Sequence, residues 1–209
     1  MSREERIQRF SFAERIMHWI VGLTFVYVML SGLALFSPHL YWLAYLLGGG
    51  TTIVRWHPIV GLLFFIALIW MFATWLRDMK IDREDVDWIK RVGQYIRHHE
   101  GDLPDAGRFN AGQKGLFWVQ GVTGVLLVAS GIPLWFPHHF PQWSRLVSIL
   151  VHEIAALAAI GAFIVHIYMG TAVVRGSLSA MITGTVSAAW ARFHHPRWYR
   201  KVESEKVSE

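Results

Sequence analysis

The sequence contains no cysteine. Disulfides, thiolate-held iron–sulfur clusters and the C-x-x-C-H attachment of a c-type haem are therefore excluded, and a redox metal has to be held noncovalently, by histidine first. Charge is missing where a soluble helix needs it. Ile16–Phe36, Trp56–Leu76, Gly115–Phe136 and Leu146–Val174 hold no Lys, Arg or Asp, and the one Glu among them is Glu153. Each run exceeds the roughly 18 apolar residues that mark a membrane helix. None carries the polar face of a soluble bundle helix. The expected fold is an all-α integral membrane protein, a four-transmembrane-helix bundle forming a single domain over residues 1–209. No stretch remains for a separate soluble domain, and there is no internal repeat or low-complexity segment.

The net charge of +5 reflects topology rather than nucleic-acid binding. Of 20 Lys and Arg, four precede the first run, eight lie in 77–114 and six follow from Arg175 onward, leaving only Arg55 and Arg145. By the positive-inside rule both termini and the 77–114 loop are cytoplasmic. Ile16–Phe36 follows Arg3, Arg6, Arg9 and Arg15 as a secretory signal would. It is longer than a signal core of roughly 7–15 residues and lacks a small-x-small cleavage site, so it reads as a retained helix. Val86, Ile89, Val92 and Ile96, with Trp88, Tyr95, Lys90, Arg91 and Arg97 between them, predict a short helix. It lies either at the cytoplasmic interface or as a solvated cap on the bundle. Leu178–Phe193 predicts a second such interfacial helix, and "KVESEKVSE" a disordered end. The outer segments 37–55 and 137–145 are the surfaces a partner outside would meet.

Eleven histidines sort by depth. His39, His98, His99, His138, His139, His194 and His195 fall in loops or tails, where surface roles are the default. His18, His57, His152 and His166 lie in or at the ends of apolar runs. His152 and His166 are fourteen residues apart, about 1400° and about 21 Å on a helix, so both leave one face near opposite membrane surfaces. Topology then pairs His18 with His166 at the cytoplasmic level and His57 with His152 at the outer level. One membrane histidine is ordinarily a packing residue, but four matched by depth make a functional set. Four residues after them stand Gly22, Gly61, Ala156 and Gly170, small residues that permit close helix contacts and equally give a flat macrocycle clearance. Two bis-histidine haems b fit all of this. A non-haem metal transporter is the alternative from another class. Zinc wants about four ligands and each level offers two histidines. Glu153 points about 100° away from His152, so it serves as a second-layer partner or proton group. A transporter also calls for broken helices, and Pro133 is read as the sole interior proline.

The stretches "RFSFAERIMHWIVG", "RWHPIVG", "RFNAGQKGLFW" and "VHEIAALAAIGAFIVHIYMG" resemble the cytochrome b (gamma) subunit of respiratory membrane-bound formate dehydrogenase, over about Arg9 to Tyr199. The single-histidine motifs are shared with the cytochrome b subunits of nickel–iron hydrogenases and thiosulfate reductases, which stay as alternatives; N-A-G-Q-K is the sharper mark. The resemblance implies a di-haem cytochrome in the bacterial inner membrane. His57 and His152 would hold the haem that takes electrons from a periplasmic-side iron–sulfur (beta) subunit, itself served by a molybdenum or tungsten catalytic subunit. His18 and His166 would hold the haem that passes electrons to a quinone, menaquinone or ubiquinone, with Asn110, Gly112 and Gln113 in the quinone segment. Asn110 also suits a helix cap. No formate-oxidising site is implied on this chain. Arg55 and Arg145 outside, and Arg15, Arg175 or Lys114 inside, are candidate partners for haem propionates.

Overall fold

In lipid, backbone N–H and C=O groups must be satisfied within the segment itself, so long apolar runs become helices. The structure is a computed structural model that describes residues 5–96 and 103–208. Arg3, Arg97, His98 and His99 lie outside the described residues, as do the side chains of Tyr95 and Ile96. In chain order the elements are β1 (Arg6–Gln8), α1 (Phe12–Phe36), α2 (Leu43–Leu46), α3 (Gly50–Trp75), α4 (Arg83–Lys90), α5 (Val92–Ile96), α6 (Ala111–Trp135), α7 (Gln142–Tyr168), α8 (Ser177–Ile182), β2 (Thr185–Ser187), α9 (Ala188–His194) and α10 (Pro196–Ser208). A π-helical stretch, Met169–Val173, continues α7. Helices α1, α3, α6 and α7 are long and apolar enough to cross a membrane.

All four begin four to six residues before the apolar runs, and polar residues start α1 and α6. Ser11 and Glu14 exchange hydrogen bonds with each other's backbone N–H at the head of α1, at 3.3 and 2.8 Å. Asn110 and Gln113 do the same for α6, both at 3.0 Å. Each is a reciprocal capping box that satisfies donors a helix start leaves open. Gly48 and Gly49, at φ 89° and 94°, make the turn before α3. That earlier start corrects the proline reading: Pro58 is also interior to a membrane helix, and without an N–H it removes the bond to the Val54 carbonyl.

The contacts divide into two compact units. One comprises Ile16–Ala73 and Val119–Ile164, the other Met1–Arg15, Thr74–Trp118 and Val165–Glu209. In the membrane unit Phe25 packs on Phe64 and Phe163, with ring centroids 5.6 and 5.0 Å apart. A Cβ at Gly121 would strike the Phe72 ring and one at Gly124 the Leu68 side chain, so these two glycines are close-packing positions.

The terminal unit gathers both chain ends with the middle loop, as a same-side topology requires. β1 pairs antiparallel with β2, Ile7 opposite Val186, a small ladder that the all-helical expectation missed. The expected helix 178–193 is therefore two, α8 and α9, separated by Gly184 at φ 84° and by β2. The tail is helical rather than disordered. Tyr199 is buried, its hydroxyl donates to Glu203, and Lys206 bridges to Glu5 at 2.8 Å. The expected helix over 86–96 breaks at Arg91 into α4 and α5. Asp85 and Trp88 face inward while Val86, Ile89 and Val92 are exposed, which fits an interfacial helix better than a solvated cap. At the unit's centre Arg9 is buried. Its guanidinium lies 5.0 to 5.3 Å from the rings of Trp198, Trp190 and Phe10. It donates to the Arg108 carbonyl at 2.9 Å and lies 3.0 Å from His195 Nε2.

Candidate functional site

Helices α3 and α7 of the membrane unit bring His57 and His152 together, with ring centroids 6.3 Å apart and planes at 61°. Each imidazole is held from behind by another helix. Ser31 Oγ of α1 lies 2.8 Å from His57 Nδ1, and Ser130 Oγ of α6 lies 3.0 Å from His152 Nδ1. Both serines are buried. Each is followed by a glycine against the same ring: a Cβ at Gly32 would stand 3.2 Å from His57 Cε1, and one at Gly131 3.5 Å from His152 Cε1. All four membrane helices thus meet at one level through the row Ser31, His57, His152, Ser130. Among the described residues no group of three or more His, Cys, Asp or Glu side chains converges as a metal-holding set. Glu153 is half-buried beside His152.

His18 lies in the membrane unit, two turns into α1, and His166 in the terminal unit, at the end of α7 just before the π-helical stretch; both are half-buried. Gly22 and Gly61 are not close-packing positions of the Gly121 kind. A Cβ at Gly22 meets nothing within 4 Å, and one at Gly61 only Val28 Cγ1 at 4.0 Å. In the terminal unit a Cβ at Gly170 meets only Ser177 Oγ, at 3.9 Å.

The Asn110–Lys114 segment lies wholly in the terminal unit. The capping box uses the side-chain oxygens of Asn110 and Gln113 and leaves their NH₂ groups as donors. Ala111 joins Trp88 and Val174 in a buried cluster, with Met169 and Val173 packed on it, so the segment abuts the π-helical end that follows His166. Gly112 is exposed beside the Trp88 ring; a Cβ there would sit 3.4 Å from Asn110 Oδ1 and 3.6 Å from Trp88, so one methyl fits. A cavity of about 10 Å³, lined by Glu84, Asp85, Trp88, Asp105, Asn110 and Arg197 among others, has room for about one water and not for a ring.

The profile of the family described as prokaryotic cytochrome b561 matches residues 9–184. The chain belongs to this family. It is 36% identical over 211 residues to the nitrate-inducible formate dehydrogenase cytochrome b556(Fdn) subunit of Escherichia coli K12, covering 99% of this chain and 96% of the relative. It is 37% identical over 214 residues to the formate dehydrogenase cytochrome b556(fdo) subunit of the same organism, covering all of both. The formate dehydrogenase cytochrome b556 subunit of Haemophilus influenzae is 34% identical over 212 residues, covering all of this chain and 89% of the relative. The resemblance seen in the sequence is thereby upheld. The protein is a multi-pass cytochrome b of the inner membrane, and its family binds haem b.

The residues present fit that group. One metal bonded to two imidazole nitrogens at about 2 Å each sets the ring centroids roughly 6 Å apart, and the rings of His57 and His152 stand at 6.3 Å. Of the basic residues considered for propionates, Lys114 is otherwise committed, its buried ammonium 2.5 Å from the buried Asp85 carboxylate. Arg15 donates to the Ile182 carbonyl at 2.6 Å. Arg145 is half-buried with an Nε that meets no partner among the described residues, while Arg55 is exposed. Sequence reasoning missed Ser31, Gly32, Ser130 and Gly131. The signal was there: the dipeptide Ser-Gly occurs in both helices that face one of these two histidines. It also misplaced His195, which is 1% exposed. Its Nδ1 donates to the Gly107 carbonyl at 2.8 Å, leaving Nε2 to accept from Arg9. Burial first, and the Arg9 charge second, hold its pKa well below the ordinary histidine value.

Proposed function

We propose that this chain is the membrane cytochrome b subunit of a formate dehydrogenase complex, one di-haem domain that carries electrons from an iron–sulfur subunit on the outer side to a quinone bound near the cytoplasmic side. The observation that carries the reading is the outer row, in which four helices converge on two imidazoles at bis-histidine spacing. The named relatives supply the formate dehydrogenase context. When bound, haem b supplies the one-electron chemistry that the side chains themselves lack. His57 and His152 hold one iron. His18 and His166 hold the second, a pairing supported by their depth along α1 and α7. Formate oxidation belongs to a molybdenum or tungsten subunit reached through the iron–sulfur partner.

For the quinone, Asn110 and Gln113 offer amide donors at the head of an apolar helix, with the exposed residue Gly112 beside them. That is the sparse polar edge a quinone headgroup needs. The Lys and Arg distribution assigns this end to the cytoplasm, so the protons of quinone reduction are taken up there.

The test is a reduced-minus-oxidised spectrum and an extractable haem count on the purified protein and its histidine variants. Haem near two per chain is expected. His57→Ala and His152→Ala lose one spectral component, and His18→Ala and His166→Ala lose the other. One haem per chain, or loss of the same component from His57→Ala and His18→Ala, would refute the pairing.

A further inference from the structure

We infer that Ser31 and Ser130 are positioning residues that fix the tautomer and ring plane of His57 and His152 and thereby depress the reduction potential of the haem between them. The inference rests on the haem assignment proposed above and adds the residues that tune it. Ser31 Oγ lies 2.7 Å from the Tyr27 carbonyl as well as 2.8 Å from His57 Nδ1. Ser130 Oγ lies 2.6 Å from the Leu126 carbonyl and 3.0 Å from His152 Nδ1. A hydroxyl has one hydrogen and a carbonyl only accepts. Each serine therefore donates back along its own helix and accepts from the imidazole, which places the ring proton on Nδ1. Nε2 is left as the lone-pair atom on both rings, the form a metal takes. The glycine next to each serine brings the helix against Cε1, at 3.2 Å for a Cβ on Gly32 and 3.5 Å on Gly131. Each ring is held at Nδ1 by the serine, and the neighbouring glycine leaves the space that Cε1 occupies.

The same geometry occurs twice, on α1 toward α3 and on α6 toward α7, so one helix end or one chance contact does not explain it. An imidazole that gives a hydrogen bond from its far nitrogen is the more basic ligand. More basic ligands on both sides favour ferric over ferrous iron and lower the potential.

The experiment is a redox titration with low-temperature EPR on the full-length protein, as wild type, Ser31→Ala, Ser130→Ala, the double variant and Ser31→Thr. Alanine is a better helix former than serine and the variants should assemble. Expected are unchanged haem content, an upward shift in midpoint potential of one haem component in each alanine variant, and a larger shift in the double variant. The low-field g value of that component should also change, and the potential should return in Ser31→Thr, which keeps the hydroxyl. Unshifted potential and EPR with full haem content would overturn the inference and leave the haem assignment standing. So would equal disturbance in the alanine and threonine variants, since the serine would then act through packing alone. A wild-type protein without haem would overturn the assignment itself.

Discussion

Gly32→Ala and Gly131→Ala are the same chemical change at matching places and should behave differently. A methyl on Gly32 stands 3.2 Å from His57 Cε1, tighter than ordinary contact, whereas one on Gly131 stands 3.5 Å from His152 Cε1. To relieve the first, the His57 ring has to retreat by about 0.3–0.5 Å, a shift of the kind that overpacking forces. It cannot do so freely, because Ser31, one residue earlier on the same helix, holds Nδ1 at 2.8 Å. Stretching that bond and crowding the ring costs about 1–2 kcal/mol, or roughly 5- to 30-fold in haem retention. Replacing glycine by alanine within a helix meanwhile stabilises it by up to about 1 kcal/mol. In Gly32→Ala the two effects oppose each other: haem is lost more readily in an apo-myoglobin competition assay while helix content holds. In Gly131→Ala only the helix gain remains, and haem retention stays at the wild-type level. Equal retention in both variants, or greater loss from Gly131→Ala, would refute the idea that these glycines seat the imidazoles.

Three further outcomes follow from the terminal unit. His195 is kept neutral by burial and by Arg9, so the unfolded chain binds the extra proton as pH falls. The stability this site contributes is therefore complete above about pH 6.5 and declines by about 1.4 kcal/mol per unit below it until the folded pKa is reached. Denaturant unfolding between pH 7.5 and 5 should show this fall, and His195→Gln should flatten it; an identical profile in the variant would remove His195 as the cause. Lys114→Met leaves the buried Asp85 unpaired and should cost about 3–5 kcal/mol, most of it recovered when Asp85→Asn is added. A single variant as stable as wild type in a thermal melt would show that the pair is hydrated. Asn110→Asp keeps the oxygen that caps Gln113 but removes the amide donor, so stability should hold while quinol formation slows. Asn110→Ala loses the cap as well, at about 1 kcal/mol. Wild-type quinone turnover in Asn110→Asp would refute the amide's role.

The membrane helices and their histidines were legible because apolar length and helical periodicity act locally along the chain. Helices α1 and α6 extend four residues ahead of their apolar runs because Ser11, Asn110 and their partners Glu14 and Gln113 are polar, and hydropathy passes over the residues that build a cap. Depth along the helices pairs His57 with His152, whose rings lie 6.3 Å apart, yet depth does not reveal the serines behind them. A serine in a membrane helix ordinarily bonds its own i−4 carbonyl, and nothing in the sequence says that the same oxygen also meets another helix. The terminal unit was the least legible part. β1 and β2 are about 180 residues apart, too far for any local pattern to pair them. The acidic–basic end of the chain looks disordered until Tyr199 finds its buried seat and Lys206 finds Glu5.

The backbone marks two of the four histidines independently of their side chains. Pro58 directly follows His57 inside α3 and removes one rung of the helix ladder. The π-helical turn Met169–Val173 begins three residues after His166. Such irregularities carry a cost in a membrane helix, because a freed carbonyl finds no water in the hydrocarbon and must be satisfied by protein. Regular helix was available at both places: the flanking residues are good apolar helix material, and α7 runs 27 residues before it changes. A proline beside His57 frees the Val54 carbonyl from the helix ladder, and a π turn widens the helix where Ala111 and Trp88 pack on Met169 and Val173. π-helical turns concentrate at functional sites for this reason. The widened turn therefore links the end of the His166 helix to the Asn110 segment, whose amides are proposed to meet the quinone.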